Sequence, residues 1–242
     1  MSSFYPEESK RLDVISHLEE LRRRILVCLL VLAVAGIIAF FRGDLLMTLV
    51  RRPISGLAGE LIFISPTEAF VAYIKVAILS GFVVAFPVIL YQTWAFLSPA
   101  VPERVKGRIV VWLFSALGLF FAGIAFSYFI AIPAALKFLI NFGSHIAVPN
   151  ITLGKYISFF GALFLVGGII FEIPIAMGLL ADAGIIKTET LRGKRLYAVL
   201  VIMIFAAVIT PTQDILNMLL FALPMILLYE IGLIVAKLVE KR

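Results

Sequence analysis

The chain reads as an all-α integral membrane protein of six transmembrane helices, several of them interrupted by proline, with both termini on the cytoplasmic side. Three observations predict this. Hydrophobic residues make up 62% of the sequence and charged residues 15%, at a mean hydropathy of +1.11, more than a water-soluble core uses. The 242 residues divide into apolar runs parted by short polar stretches, and about 20 apolar residues cross a bilayer as a helix. Lysine and arginine gather in alternate connections, the bias expected of cytoplasmic loops.

The spans follow in chain order. The first covers about 25–41 and continues a polar helical start. In that start Val14, Leu18, Leu21 and Ile25 fall on one stripe, with Ile15 beside them. His17, Glu20 and Arg24 share another face, Glu20 and Arg24 one turn apart. A helix of this kind begins in water and dives into the bilayer, carrying Glu20 about a turn above the insertion point. Without other information the stretch is also a plain anchor with one intrahelical ion pair.

Ser65, Pro66, Thr67 and Glu68 have the form of a capping box with proline at the first helical position. They open a second span of about 69–97. Pro102 and Glu103 read as the first turn of the third helix, which spans about 109–132. Thr152 begins the fourth, running to about 181, with Gly184 as its C-cap. The fifth span is 196–209 and the sixth about 215–236.

Pro87, Pro174 and Pro224 each lie within one of these runs, and Pro133 directly follows the third. Each removes a backbone donor and leaves a carbonyl one turn back without its helix partner. Interrupted helices favour a curved wall over a straight bundle, hence a concave arrangement.

Residues 13–236 form one membrane domain, between a flexible N-terminus at 1–12 and a cytoplasmic tail at 237–242. The apolar run at the start has no small-residue cleavage pattern, so the first span is read as retained. With the N-terminus inside, Lys10, Arg11, Arg22, Arg23, Arg24, Arg104, Lys106 and Arg108 are cytoplasmic. So are Lys187, Arg192, Lys194, Arg195, Lys237, Lys241 and Arg242. Arg42, Arg51, Arg52, Lys75, Lys137 and Lys155 are left elsewhere. This asymmetry accounts for the net charge of +6 without any nucleic-acid partner.

The sequence also narrows the chemistry. The lone cysteine, Cys28, lies inside the first span, which excludes an intrachain disulfide and a cysteine metal site. There is no His-Glu-x-x-His run, metal-ligand cluster or Ser/Lys pair at matching depth, so neither an enzyme nor a cofactor is expected. Glu172 stands out because it lies deep in the fourth span, after Gly167 and Gly168 and before Pro174. A carboxylate at the bilayer centre costs about 2.5 kcal/mol or more, so it should be protonated, face a cavity or touch a substrate. It is also the residue on which a proton-coupled small-solute transporter would rest. The lack of an inverted repeat and of further intramembrane polar groups weighs against that alternative.

The run Ser16-His17-Leu18-Glu19-Glu20-Leu21-Arg22-Arg23-Arg24 resembles the N-terminal segment of TatC, the receptor subunit of the twin-arginine protein translocase. The likeness continues from Ile64 to Phe70, from Phe86 to Pro99 and at Phe171-Glu172-Ile173-Pro174. It recurs from Leu191 to Tyr197, at Thr210-Pro211 and at Ile231-Gly232, and so covers nearly the whole chain from Leu12. The resemblance implies six helices in a cupped shape within a bacterial-type plasma membrane. It also implies recognition of signal peptides with paired arginines and export of folded proteins, powered by the proton gradient.

Each guanidinium of such a signal forks onto one carboxylate, so two acids are wanted. The family's pair maps onto Glu20 and onto Glu103, the acid of the first cytoplasmic loop. The family pattern there is Pro-Gly/Ala-Leu-Tyr-x-x-Glu-Arg-Arg; the run from Pro99 to Arg104 brings the acid forward by two residues. Glu103 is equally a helix-dipole residue in a first turn. His17, Leu21, Arg22 and Phe96 are expected to support the site, although Phe96 also suits an interfacial aromatic belt.

At about 1.5 Å per residue, the fifth span reaches only about 21 Å of a ~30 Å hydrocarbon core. It must thin the bilayer, be covered by the fourth span, or be shielded by another helix. The family works with single-span subunits of the TatA/TatB type, within a larger complex that holds further copies of the chain. Met203, Thr210, Gln213, Asp214 and Asn217 are therefore expected at a docking surface on the last two spans.

Overall fold

The computed structural model describes residues 6–57, 59–144, 148–209 and 215–240. Helix α1 (Pro6–Phe41) is one continuous element of 36 residues, as expected of a helix that begins in water and enters the bilayer. Its outer face stays apolar and bare at Leu26, Leu29, Leu30, Ile37 and Ile38, which suits contact with lipid. An element missing from the expected six follows at once: α2 (Gly43–Arg51), amphipathic, with Met47 and Val50 buried. Asp44 in its first turn and Arg51 in its last complement the helix dipole.

Helix α3 (Pro66–Leu97) starts where the capping signal places it, with Ser65 as N-cap. The box itself does not close as expected. The Ser65 hydroxyl accepts from Thr67 N–H at a long 3.4 Å, and the Glu68 carboxylate accepts from Ile64 N–H at 2.9 Å. Its other oxygen accepts from Gly154 N–H at 2.7 Å, at the start of a distant helix.

The third span departs from expectation at both ends. Glu103 does not open it but lies in a separate single turn, α4 (Glu103–Lys106). Gly107 and Arg108 break the chain, Arg108 at φ −107° and ψ 5°, and α5 (Ile109–Phe126) starts anew. Nor does the helix end at 132. A π turn (Ser127–Ala131) leads into α6 (Ile132–Ser144). Pro133 has no N–H to give, and the wider π turn ahead of it absorbs the missing bond without ending the helix.

The expected fourth span is two helices: α7 (Leu153–Ile170), with Thr152 as N-cap, and α8 (Ile173–Asp182). They part at Phe171 and Glu172, which leaves Pro174 in the first turn of α8, where its missing N–H costs no helix bond. Gly184, at φ +75°, follows α8 in the left-handed conformation its C-cap role requires. The chain ends with α9 (Thr188–Gly193), α10 (Arg195–Ile209) and α11 (Ile215–Glu240). Pro87 and Pro224 sit inside α3 and α11, which continue past them. Of these four prolines, Pro133 and Pro174 stand next to departures from α-helix.

Among the described residues, five stretches are long and apolar enough to cross a membrane: Ile15–Phe41, Pro66–Leu97, Ile109–Gly143, Leu153–Asp182 and Phe221–Glu240. Helix α10 is apolar but shorter. The main pairings are α1 with α3, α8 with α11, and α7 with both α3 and α5. Small residues set these approaches, as expected where lipid provides little hydrophobic force between helices. A Cβ added to Gly81 would lie 2.8 Å from the Gly36 nitrogen, and one on Gly123 would lie 2.5 Å from the Gly167 carbonyl oxygen.

At the α2 end, Tyr128 and Tyr156 donate their hydroxyls to the carbonyls of Leu49 (2.8 Å) and Val50 (2.5 Å). Leu153 N–H donates to Ile62 O at 2.8 Å. These bonds pin α2 and the loop after it to the π turn and to the start of α7.

Candidate functional site

The antiparallel pairing of α1 with α3 brings the polar start of α1 beside the end of α3. There His17 stacks on Phe96, ring centroids 4.3 Å apart and planes 15° from parallel. Arg24 Nε donates to Glu20 Oε1 at 3.0 Å, and Arg24 Nη1 donates to Gln92 Oε1 at 3.0 Å. One guanidinium thus clamps the acid of α1 to the amide of α3.

The clamp leaves half the acid free. Both Arg24 bonds go to Glu20 Oε1. Among the described residues the other oxygen, Oε2, faces the His17 Nδ1 at 3.7 Å, beyond hydrogen-bond length. The side chain is 35% exposed. His17 is held by its stack on Phe96, with the carboxylate at the edge of its ring. The result is a fixed, half-open carboxylate next to a flat ring platform, suited to a planar cation.

Other expected members lie apart. Leu21 is half-buried; Arg22 is exposed and lines a shallow recess with Glu19, Arg23 and Leu26. Glu103 is 87% exposed and accepts from Lys106 Nζ at 2.8 Å, one turn along α4. Such an exposed pair is weak and easily exchanged.

Sequence reasoning passed over Asp182, the most deeply buried acid among the described residues. It is 2% exposed, with Oδ1 3.2 Å from Arg108 Nη1 and Oδ2 accepting from Trp112 Nε1 at 3.1 Å. Its carbonyl accepts from Arg104 Nη2 at 2.8 Å. This knot fastens the α4–α5 corner to the end of α8 and so places Glu103. The signals in the sequence were an acid at the end of an apolar run and Arg108 and Trp112 four residues apart.

Glu172 occupies the break between α7 and α8 and is half-buried. Its Oε1 is enclosed and, among the described residues, has no hydrogen-bond partner; the same holds for the hydroxyl of Ser127 in the π turn. Both helix breaks therefore carry an unmet polar atom.

On α10, Met203 faces inward, partly buried against the core, contrary to its expected place on the docking surface. The outward residues are Leu200, Val201, Ile204, Phe205 and Val208. Thr210, Gln213 and Asp214 lie outside the described residues. Asn217 falls in the first turn of α11, with its side chain outside the described set.

Residues 16–224 match the model of a family described as Sec-independent protein translocase protein (TatC). The Sec-independent protein translocase protein TatC of Carboxydothermus hydrogenoformans is 37% identical over 235 residues, covering 97% of either chain. That of Aquifex aeolicus is 37% identical over 230 residues, 93% of this chain and 95% of its own. Among solved structures, that of a twin-arginine translocase receptor, TatC, is similar at a TM-score of 0.82 and 37% identity. It matches over 93% of this chain and 100% of its own.

Proposed function

The chain belongs to the TatC family, so it is a membrane component of the Sec-independent, twin-arginine protein translocase and not an enzyme, and on that premise we propose that Glu20 receives one arginine of a signal peptide. The carrying observation is the free Oε2 of Glu20 beside the His17–Phe96 stack. Arg24 satisfies and orients the acid through one oxygen, leaving the second for a guanidinium, whose plane can also lie along the ring face. Glu103 takes the second arginine, giving up its exposed pair with Lys106. Leu21, half-buried on the same helix, lies under the apolar part of the signal.

The remaining organisation belongs to the same proposal. Helix α10 is the short fifth of six spans, and α11 the sixth. Both termini are cytoplasmic, on the strength of the basic residues between alternate spans. Residues 13–236 form one membrane domain with a concave face. The cargo is folded protein, moved at the expense of a proton gradient across a bacterial-type plasma membrane. The partners are single-span TatA/TatB-type subunits and further copies of this chain. The small-solute alternative does not survive the family membership.

The test is binding of a twin-arginine peptide to the purified chain. Glu20→Ala should weaken it by about tenfold or more, as loss of a charge-assisted pair does. Glu19→Ala, on another face, should leave it unchanged. Parental affinity in Glu20→Ala would remove the paired-carboxylate mechanism. Parental affinity in Glu103→Ala alone would shift the second contact elsewhere in the loop.

A further inference from the structure

Under α2 lies a cavity of about 470 Å³. Its walls are apolar: Leu46 and Leu49 from α2, Leu79 from α3, Phe129 from the π turn, Phe160 and Phe164 from α7. Phe129, at its rim, is 72% exposed, so the cavity opens outward and is not sealed within the core. Tyr128 also lines it, but its hydroxyl is already spent on the Leu49 carbonyl.

Arg52 is the one charged residue in that lining. It also lines a second recess, where Thr48, Arg51, Ser55 and Glu60 stand beside Ile54 and Leu61. The apolar cavity and a recess carrying charged and hydroxyl side chains thus meet at Arg52. Arg52 is exposed and makes no ion pair among the described residues. Two arginines against one glutamate leave the recess positive. Together these surfaces ask for one amphiphile with an apolar chain and an anion at its head.

We propose that this is a binding site for one anionic phospholipid, with its phosphate on Arg52 and one acyl chain in the cavity under α2. A guanidinium matches two phosphate oxygens with parallel hydrogen bonds. The chain is embedded in lipid, so the ligand is always at hand. Amphipathic α2, with its apolar face turned inward and arginines at its end, sits as a helix at the membrane surface does. An apolar peptide segment would fill the cavity but leave Arg52 unmatched.

Native mass spectrometry of the purified full chain, delipidated and then titrated with phosphatidylglycerol, tests this. The parent should retain one such lipid, and phosphatidylcholine of the same chains about tenfold less. Arg52→Gln should lower phosphatidylglycerol retention about tenfold. Leu49→Trp, which fills the cavity and keeps Arg52, should lower it as much. Arg192→Gln, exposed on α9, should change nothing. Melting temperatures identify any variant that has failed to fold, and either of the first two suffices alone. Parental retention in a folded Arg52→Gln or Leu49→Trp would overturn the proposal, as would equal retention of the two lipids. So would displacement by glycerophosphoglycerol, which lacks acyl chains, as effective as that by the whole lipid.

Discussion

Gly154 donates its backbone N–H to the Glu68 carboxylate at 2.7 Å, which ties the first turn of α7 to the first turn of α3. The same carboxylate accepts from Ile64 N–H through its other oxygen. A helix start has N–H groups without intrahelical partners and a positive dipole end, so an acid from another helix serves it well. The contact needs glycine: a Cβ at position 154 would lie 2.9 Å from Glu68 Oε1. Glu68→Ala and Gly154→Ala should each lower the melting temperature by breaking the same tie. In a Glu68→Ala background the sign should reverse. There Gly154→Ala meets no carboxylate and gains up to about 1 kcal/mol from helix propensity. Thermal unfolding of the two single variants and the double variant reads this directly, and simple additivity would mean that the tie carries no energy.

Asp182 makes a different kind of link, because it is almost wholly enclosed. Removing an enclosed acid strands its partners, but Arg108 is 36% exposed and can regain water. Asp182→Ala should therefore cost about 3 kcal/mol, at the lower end for a broken buried pair. Asp182→Asn, which keeps an acceptor for Trp112, should cost less. Because the knot places the α4–α5 corner, Asp182→Ala should also weaken twin-arginine peptide binding at temperatures where the chain stays folded. Full binding there would confine Asp182 to stability.

These two acids show what was legible beforehand. The long spans were readable because an apolar run of sufficient length has few alternatives in a membrane. Glu20 was readable because its partner Arg24 lies one turn away on the same helix. Asp182 was not, since its indole partner is 70 residues distant in sequence. Glu68 was read as a local cap because its local bond partner was visible, whereas its partner at Gly154 needed the fold. Helix α2 was missed because nine residues are too few to register as a span. The four prolines have different outcomes: α3 and α11 continue past Pro87 and Pro224, whereas a π turn precedes Pro133 and a helix break precedes Pro174.

Glu172 gives a prediction in transport. Its enclosed oxygen without a partner costs free energy that a structural acid would not carry to no purpose. A site met by water or by a passing substrate needs polarity there more than charge. Glu172→Gln should retain most transport of a folded twin-arginine cargo, and Glu172→Leu should lose most of it. Parental transport by Glu172→Leu would make the acid a passive feature of the break between α7 and α8.

Helix α10 is 15 residues long, so at about 1.5 Å per residue it covers roughly 22 Å of a hydrocarbon core near 30 Å. Cover from the fourth span was one expected remedy, but α10 packs chiefly on α11 and only slightly on α7. Its outward face remains bare at Leu200, Val201, Ile204 and Val208. A short helix with a bare apolar flank must thin the bilayer or take a neighbour. A single-span subunit lying along that flank relieves the mismatch. Cysteines at Leu200 and Ile204, in a Cys28→Ala background, should crosslink to such a subunit. Cysteines at Met203 and Ala206, which face the core, should not. The contrast between neighbouring positions separates docking from random collision in the membrane. Equal crosslinking at all four positions, or crosslinks confined to α1 and α5, would rule out this face as the docking surface.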